Sequence, residues 1–159
     1  MRTTVLFTVL FSSLATFASG KNFPQGPDAQ LTPGDICHQA DSIRYPEKIA
    51  YCDRSVEPAL KNDIIQMYDR ERGYNISGMP RGNFKIDHYI PLCMGGSNEQ
   101  INLWPQHESV YKITDPFEQK LCQKMSDGKL LQSEAIELMK RLKNNLDEAP
   151  AILEKINSL

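Results

Sequence analysis

The first twenty residues carry the three parts of a secretory signal peptide. One positive charge at Arg2 precedes an apolar run over residues 5–11, and the small residues Ala18 and Gly20 follow. The run is shorter than the about 20 apolar residues that a membrane-spanning helix needs, so a transmembrane anchor is disfavoured. The pattern predicts that residues 1–20 are removed and that the remaining chain is secreted or periplasmic.

Export places the remaining chain in an oxidising compartment, where cysteines pair. Four cysteines follow the predicted signal, and sequence alone leaves three pairings open. We favour Cys37–Cys52, because it closes a short local loop, and Cys93–Cys122, because it would tie a predicted hairpin to the helix after it. A zinc site built from these cysteines is disfavoured, because their spacing differs from that of common zinc fingers.

The part after the signal has the size of one domain, since domains most often run to about 100–150 residues. Residues 21–35 are rich in proline and glycine, which predicts an extended N-terminal arm. Residues 36–159 then form the single predicted domain. A chain of this length can bury a hydrophobic core.

Apolar residues at helical spacing predict several helices in this domain. The first would be capped by Ser55 and would end at Gly73, since glycine readily adopts the left-handed conformation at a helix end. A later helix would be capped by Ser133, and a last short helix would begin near Pro150.

Between these helices the sequence predicts a hairpin followed by a helix. A strand at 84–86 and a returning strand at 101–104 flank a turn rich in glycine, serine and asparagine. Pro105 would close the second strand and open a helix from about Glu108 to Met125. The predicted fold class is therefore α+β, with a small hairpin and helix core surrounded by helices and stabilised by disulfide bonds.

Two of the three histidines, His88 and His107, flank this hairpin, and Asp87 precedes His88 directly. Hydrolysis of a phosphodiester needs a base to deprotonate water, and a histidine can serve near neutral pH. It also needs positive charge at the leaving oxygen, which a divalent metal on carboxylate or imidazole ligands can supply. For Asp87 and His88 to act together, the strand would have to bend, because successive side chains of a strand point to opposite faces.

An ordered set of residues surrounds this pair, namely Asp87, His88, Pro91, Gly95, Gly96, Asn102 and Leu103. The set resembles the HNH nucleases of the His-Me finger group over residues 84–125. Further motifs resemble a subset of secreted bacterial HNH proteins and extend the resemblance over most of the chain: Pro33-Gly34-Asp35-Ile36-Cys37, Tyr45-Pro46-Glu47, Tyr51-Cys52 and Trp104-Pro105-Gln106.

The resemblance implies a ββα-metal core, in which a two-stranded hairpin and a helix hold one metal ion. It implies that His88 is the general base, that Asn102 orients the loop holding the base, and that Asp87 is a metal ligand. It implies His107 as the second ligand, with Gln106 and Glu108 as alternatives. The metal would be Mg²⁺, with Mn²⁺ or Zn²⁺ as alternatives. Many family members carry two Cys-x-x-Cys zinc pairs that this chain lacks, and its disulfides would replace that structural metal.

These features predict an exported, metal-dependent endonuclease that hydrolyses DNA, RNA or both as a monomer. The predicted partners are a nucleic-acid substrate and an immunity-type inhibitor, with no membrane contact after signal cleavage. The alternative is a catalytically inactive, disulfide-stapled binding module on the same fold. A secreted cell-wall hydrolase is disfavoured, because it would need a recognisable pair of acids in a cleft.

The net charge of −2 argues against bulk attraction of the whole protein to nucleic acid. It leaves room for a local basic groove. Four basic residues, Arg70, Arg72, Arg81 and Lys85, lie just upstream of Asp87. We expect such a groove there if the protein binds nucleic acid.

Overall fold

The computed structural model describes residues 22–159, so the predicted signal peptide lies outside the described residues. The described part mixes helices with two small antiparallel sheets, which confirms the α+β class. Its elements, in chain order, are β1 (Ser42–Arg44), β2 (Ile49–Tyr51), α1 (Pro58–Arg72), β3 (Phe84–His88), β4 (Leu103–His107), α2 (Glu108–Ser126), α3 (Gln132–Asn144) and α4 (Ala149–Asn157).

Helix α1 ends as predicted but begins later than predicted. Its C-cap Gly73 is left-handed, with φ 68°, and donates its N–H to the carbonyl of Asp69. Its N-cap is Glu57 rather than Ser55. The residue before a proline prefers an extended backbone, and Pro58 needs no N–H partner in the first turn, so the helix begins at the proline.

Strands β3 and β4 form an antiparallel hairpin in which Phe84 pairs with His107 and His88 pairs with Leu103. Pro105 does not close the second strand, because it lies within β4 opposite Ile86. The Ile86 carbonyl points away from β4 and accepts a hydrogen bond from Arg54, so this pair exchanges no ladder hydrogen bonds. The missing N–H of proline therefore costs nothing at this position.

Strands β1 and β2 form a second hairpin that the sequence did not predict. Its turn holds Tyr45 and Lys48 at positive φ, 65° and 61°. Residues other than glycine rarely adopt this backbone conformation. The β1 side chains are exposed, so no apolar alternation marks the strand. In the turn of the hairpin, Glu47 accepts the N–H of Gln132 at the start of α3. The segment before β1 forms an isolated bridge between Ile36 and Gly96.

Both favoured disulfide pairings are confirmed. Cys37 is joined to Cys52, with their Cα atoms 5.7 Å apart, and Cys93 is joined to Cys122, with their Cα atoms 5.9 Å apart. The first bond closes a loop that contains β1 and β2. The second links the turn after β3 to helix α2, as predicted. Disulfides of this kind are typical of extracellular and periplasmic proteins.

Two apolar clusters form the core. One packs α1 against the β3–β4 hairpin and includes the fully buried Trp104, while the other joins α2, α3 and α4. Helix α3 has Leu131 as its N-cap, so Ser133 lies inside the first turn instead of capping it. Helix α4 has Pro150 in its first turn, as predicted. Nowhere in residues 22–159 is a helix long and apolar enough to cross a membrane.

Candidate active site

The β3–β4 register decides which predicted site residues lie together. Ladder pairing continues without interruption through His88, so the strand does not bend between Asp87 and His88. Their side chains therefore point to opposite faces of the hairpin. We call the side with Phe84, His88 and His107 the histidine face, and the side with Lys85, Asp87 and Gln106 the charged face.

On the histidine face, His88 is only 3% exposed and its Nε2 lies 3.1 Å from Oδ1 of Asn98. The amide of Asn98 is oriented by two further bonds. Its Nδ2 donates to the carbonyl of Asp53 at 2.7 Å, and its Oδ1 accepts from the N–H of Ser55 at 3.2 Å. Because Oδ1 can only accept, this network assigns the imidazole proton to Nε2 and leaves Nδ1 with a basic lone pair.

Burial holds the His88 imidazole in its neutral form. It lowers the pKa of His88 to about 4, because desolvation disfavours the imidazolium. The hydrogen bond that His88 donates to Asn98 and the charge of Asp87 act in the opposite direction, and the charges of Arg54 and Lys143 add to the lowering. At neutral pH the ring is therefore a proton acceptor at Nδ1.

Asn102 is fully buried and holds the loop that follows β3. Its Oδ1 accepts from the N–H of Ile90 at 2.9 Å, and its Nδ2 donates to the carbonyls of Ile90 and Ser97 at 3.0 and 2.9 Å. Gly96 lies inside this loop, and a Cβ there would meet the Ile90 carbonyl oxygen at 1.8 Å. The contacts fit the loop-orienting role that the resemblance implies for Asn102, a role that stays a prediction.

On the charged face, Asp87 is held by Lys143 of α3. The Lys143 Nζ donates to Asp87 Oδ2 at 2.8 Å and to the His88 carbonyl at 2.5 Å, and the Lys143 side chain is completely buried. Lys85 Nζ lies 3.5 Å from the other oxygen, Asp87 Oδ1. Burial opposes ionisation of Asp87, but the charges of Lys143 and Lys85 outweigh it and lower the pKa of Asp87.

Two carboxylates of α2 complete this cluster. Asp115 Oδ1 accepts from Lys85 at 2.6 Å, and Glu118 Oε2 lies 3.9 Å from Nζ of Lys143. Burial raises the pKa of Glu118, with the charge of Lys143 acting against it. The charged face thus contains three carboxylates and two ammonium groups in mutual contact, packed between the hairpin, α2 and α3.

His107 lies away from this cluster. Its Nδ1 caps α2 by accepting the N–H of Ser109 at 3.2 Å, and its ring stacks on Phe23 with centroids 3.9 Å apart. Phe84, its partner in the hairpin, lies 5.0 Å from it, centroid to centroid. His107 and Asp87 therefore lie on opposite faces of the hairpin and do not converge on one point.

The two alternative metal ligands, Gln106 and Glu108, lie in different surroundings. Gln106 shares the charged face with Asp87, but its Nε2 is engaged by Thr114, and its buried Oε1 has no hydrogen-bond partner. Glu108 is partly exposed and paired with Lys112. In the described part of the chain, no group of three histidine, cysteine, aspartate or glutamate side chains could hold a metal ion. The predicted ligand set does not fit a metal in this geometry, and metal binding stays a prediction.

Exposed positive charge runs along the outer edge of β3. The carbonyls of Phe84 and Ile86 point away from β4, and they accept from Arg81 at 2.6 Å and from Arg54 at 3.1 Å. Both arginines are exposed. The other predicted basic residues are engaged elsewhere: Arg72 pairs with Asp28, Arg70 with Glu71, and Lys85 with Asp115.

A cavity of about 310 Å³ opens beside Asn98, the residue that binds the His88 ring. Its lining includes Asp41, Asp53 and Glu99. Three carboxylates repel a phosphodiester, so this cavity is a poor place for nucleic acid. The edge of β3, in contrast, presents the exposed side chains of Arg54 and Arg81.

The sequence does not mark three residues of the site as functional: Asn98, which it places in a turn, Arg54 and Lys143. Lys143 left a readable signal. It lies four residues after Met139 and directly after Leu142, on the apolar face of α3, where a solvated lysine does not belong. Asn98 and Arg54 left none, because an asparagine in a turn and an exposed arginine in a loop are ordinary at such positions.

Comparisons with known proteins add no identification. No protein-family model matches the chain, and searches of curated proteins and of solved structures gave no significant match.

Proposed function

We propose that this protein is an exported endonuclease of the HNH type, which hydrolyses phosphodiester bonds of DNA or RNA with His88 as its general base. The observation that carries the proposal is the state of the His88 ring. Its Nε2–H is held by Asn98, its low pKa keeps it neutral, and its Nδ1 is the basic atom. A general base must be unprotonated and must have a free lone pair at the working pH, and the His88 ring meets both conditions. The same low pKa makes its Nδ1 a weaker base than that of an ordinary histidine.

The arginine edge supports the same reading. Guanidinium groups bind phosphate oxygens with charge-assisted hydrogen bonds, and such contacts position a nucleic-acid backbone. Arg54 and Arg81 are exposed along β3, and Arg54 is close enough to His88 to lower its pKa. A phosphodiester lying along this edge would bring its phosphorus towards the histidine face.

In this proposal Nδ1 of His88 takes a proton from the attacking water, and Asn98 stabilises the imidazolium that forms. Arg54 offsets the additional negative charge on the phosphate. Asn102 keeps the loop after β3 in place. As the new P–O bond forms, the P–O bond to the leaving oxygen breaks, and that oxygen takes a proton from water. Neither His107 nor Asp87 enters these steps.

The second candidate is the inactive binding module on the same fold, and one observation favours it. His88 is 3% exposed, so nearly all of its ring is shielded from water. A degenerate site would show the same burial. The two candidates therefore differ in activity rather than in fold.

The test is hydrolysis of plasmid DNA and of RNA by the purified, oxidised protein. Each substrate is incubated with Mg²⁺, Mn²⁺, Zn²⁺ and a chelator in separate reactions. Cleavage with any of these supports the nuclease, and the chelator reaction shows whether a metal is needed. Absence of cleavage in every reaction would favour the binding module.

His88→Ala is expected to lower the cleavage rate by at least about a hundredfold, because a general base contributes about 10²–10⁴-fold. His88→Asn retains more of the buried volume and should lose activity equally. His38→Ala is the matched control, since the His38 side chain is 68% exposed and contacts Asp35 at the surface. Circular dichroism confirms folding of each variant. A folded His88 variant that cleaves at the wild-type rate would place the chemistry elsewhere.

A further inference from the structure

The cation beside Asp87 comes from the protein itself. Lys143 reaches from α3, 56 residues further along the chain, and its ammonium group is completely enclosed. Its contacts surround it: Asp87 Oδ2 at 2.8 Å, the His88 carbonyl at 2.5 Å and Glu118 Oε2 at 3.9 Å. An ammonium has three N–H donors, and two of them are taken by Asp87 and the His88 carbonyl, while Glu118 is an ion-pair neighbour beyond hydrogen-bond distance.

Such an arrangement is stable only because it is paired. A buried charge without a partner costs several kcal/mol in proteins, and a close opposite charge with further hydrogen bonds offsets this cost. Lys143 and Asp87 satisfy each other in this way. Loss of either would leave the other buried and unpaired.

The same contacts disfavour a divalent ion at Asp87. One carboxylate oxygen is bound by Lys143, and the other lies 3.5 Å from Lys85. A metal ion on Asp87 would sit beside two ammonium groups, which repel it strongly at such short distances. It would also have to displace the ammonium of Lys143, whose side chain is completely buried.

We propose that the ammonium of Lys143, and not a divalent metal, is the resident cation at Asp87, and that this ion pair fastens α3 to the catalytic hairpin. The resemblance to HNH nucleases implies a metal at Asp87, so this assignment departs from it. The proposal does not rest on nuclease activity. Its tests use no nucleic acid, so its failure is distinguishable from failure of the proposed function.

The first test uses the wild-type protein and Mn²⁺, whose unpaired electrons broaden nearby NMR signals. Amide signals of Asp87, His88 and Lys143 are expected to keep their intensity at stoichiometric Mn²⁺. Asp87→Asn serves as the reference without the carboxylate. Selective broadening around Asp87 in the wild type that disappears in Asp87→Asn would overturn the proposal. This test needs no variant of Lys143 and therefore does not depend on how such a variant folds.

The second test is a double-mutant cycle with Asp87→Asn, Lys143→Met and the combined variant. Each single change is expected to lower Tm by about 10 °C or more, because it leaves one buried group without its partner. The combined variant removes both charges and should recover most of the loss. Lys155→Met, at an exposed position of α4, is the control and should change Tm little. If the combined variant loses the sum of the two single effects, no ion pair joins these residues.

Tm is also measured with Mn²⁺ and with a chelator for every variant. The wild type is expected to respond to neither. Lys143→Ala opens space beside Asp87 and Glu118, so Mn²⁺ should raise its Tm, and Asp87→Asn in the same background should abolish the rise. A wild-type Tm that rises with Mn²⁺ through Asp87 would identify the metal as the resident cation and refute the assignment.

Discussion

The two faces of the β3–β4 hairpin use neighbouring residues for opposite purposes. On the histidine face, burial keeps His88 neutral and a single amide orients it. On the charged face, one residue earlier, burial is offset by two lysines and Asp87 stays ionised. Adjacent residues of a strand lie in separate environments, so an Asp-His pair in sequence is not a pair in space. We expect the charged face to control stability and the histidine face to control chemistry.

Of the variants that separate the two faces, Asp87→Ala should cause the largest loss in the free energy of unfolding. It leaves Lys143 buried without its carboxylate, and removal of one partner of a buried pair costs about 3–5 kcal/mol. Asp115→Ala is the matched control, because Asp115 is a partly exposed carboxylate whose loss should cost about 0–1 kcal/mol. Urea unfolding of both variants gives the two free energies of unfolding. Equal values would mean that the buried pair contributes no more than a surface pair.

The pH dependence of stability should isolate the histidine face. His88 has a pKa of about 4 in the folded protein, against about 6.5 for an unfolded histidine. The unfolded chain therefore binds more protons between these values, and stability falls as pH drops from about 6.5 to 4. The difference amounts to about 3 kcal/mol at most. Unfolding free energies of the wild type and His88→Asn, measured from pH 4 to 8, should diverge in this window, and parallel curves would contradict the low pKa.

Asn102→Ala should lower both stability and activity, because Asn102 holds the loop that connects β3 to β4. The N–H of Ile90 and two buried carbonyls lose their partner, which costs about 2 kcal/mol. Asn62→Ala, at an exposed position in α1, should cost much less. Chemical denaturation measures both values. Cleavage should fall in the first variant as His88 loses its support, and an unchanged rate would separate the loop from catalysis.

His107→Ala should have the smallest effect. It removes a helix cap and a ring stack on Phe23, which together amount to about 1–2 kcal/mol. Because His107 does not converge with Asp87, the response of cleavage to metal concentration should not change. That response is measured by titrating Mg²⁺ and Mn²⁺ into the wild type and the variant. If His107→Ala needed a higher metal concentration for cleavage, His107 would be a metal ligand and the prediction would be wrong.

Several features of the fold could be predicted because they depend on local chemistry. Gly73 ends α1 through its left-handed backbone, Pro150 begins α4, and the turn at residues 95–98 separates two strands. The hairpin and the helix after it follow from apolar spacing and from the turn residues between the strands, although Pro105 lies within β4 and does not end it. The errors were also local: Ser55 and Ser133 can cap a helix, but Pro58 and Leu131 fixed the actual starts.

For the site, the sequence by itself determined that Asp87, His88 and Asn102 lie around one turn. Alternation in a strand even implied that Asp87 and His88 would separate unless the strand bent. What the sequence could not determine is which element packs on each side of the hairpin. That depends on docking of α3, and the partner it delivers to Asp87 is 56 residues away.

Tertiary structure alone therefore decided the chemistry of each face. The tautomer of His88 depends on an amide fixed by the backbone of Asp53, which the first disulfide-closed loop brings near. The ionisation of Asp87 depends on Lys143. Electrostatic energies in a protein follow distance and burial rather than sequence separation. Residue types thus limited what the site could do, and packing chose among those possibilities.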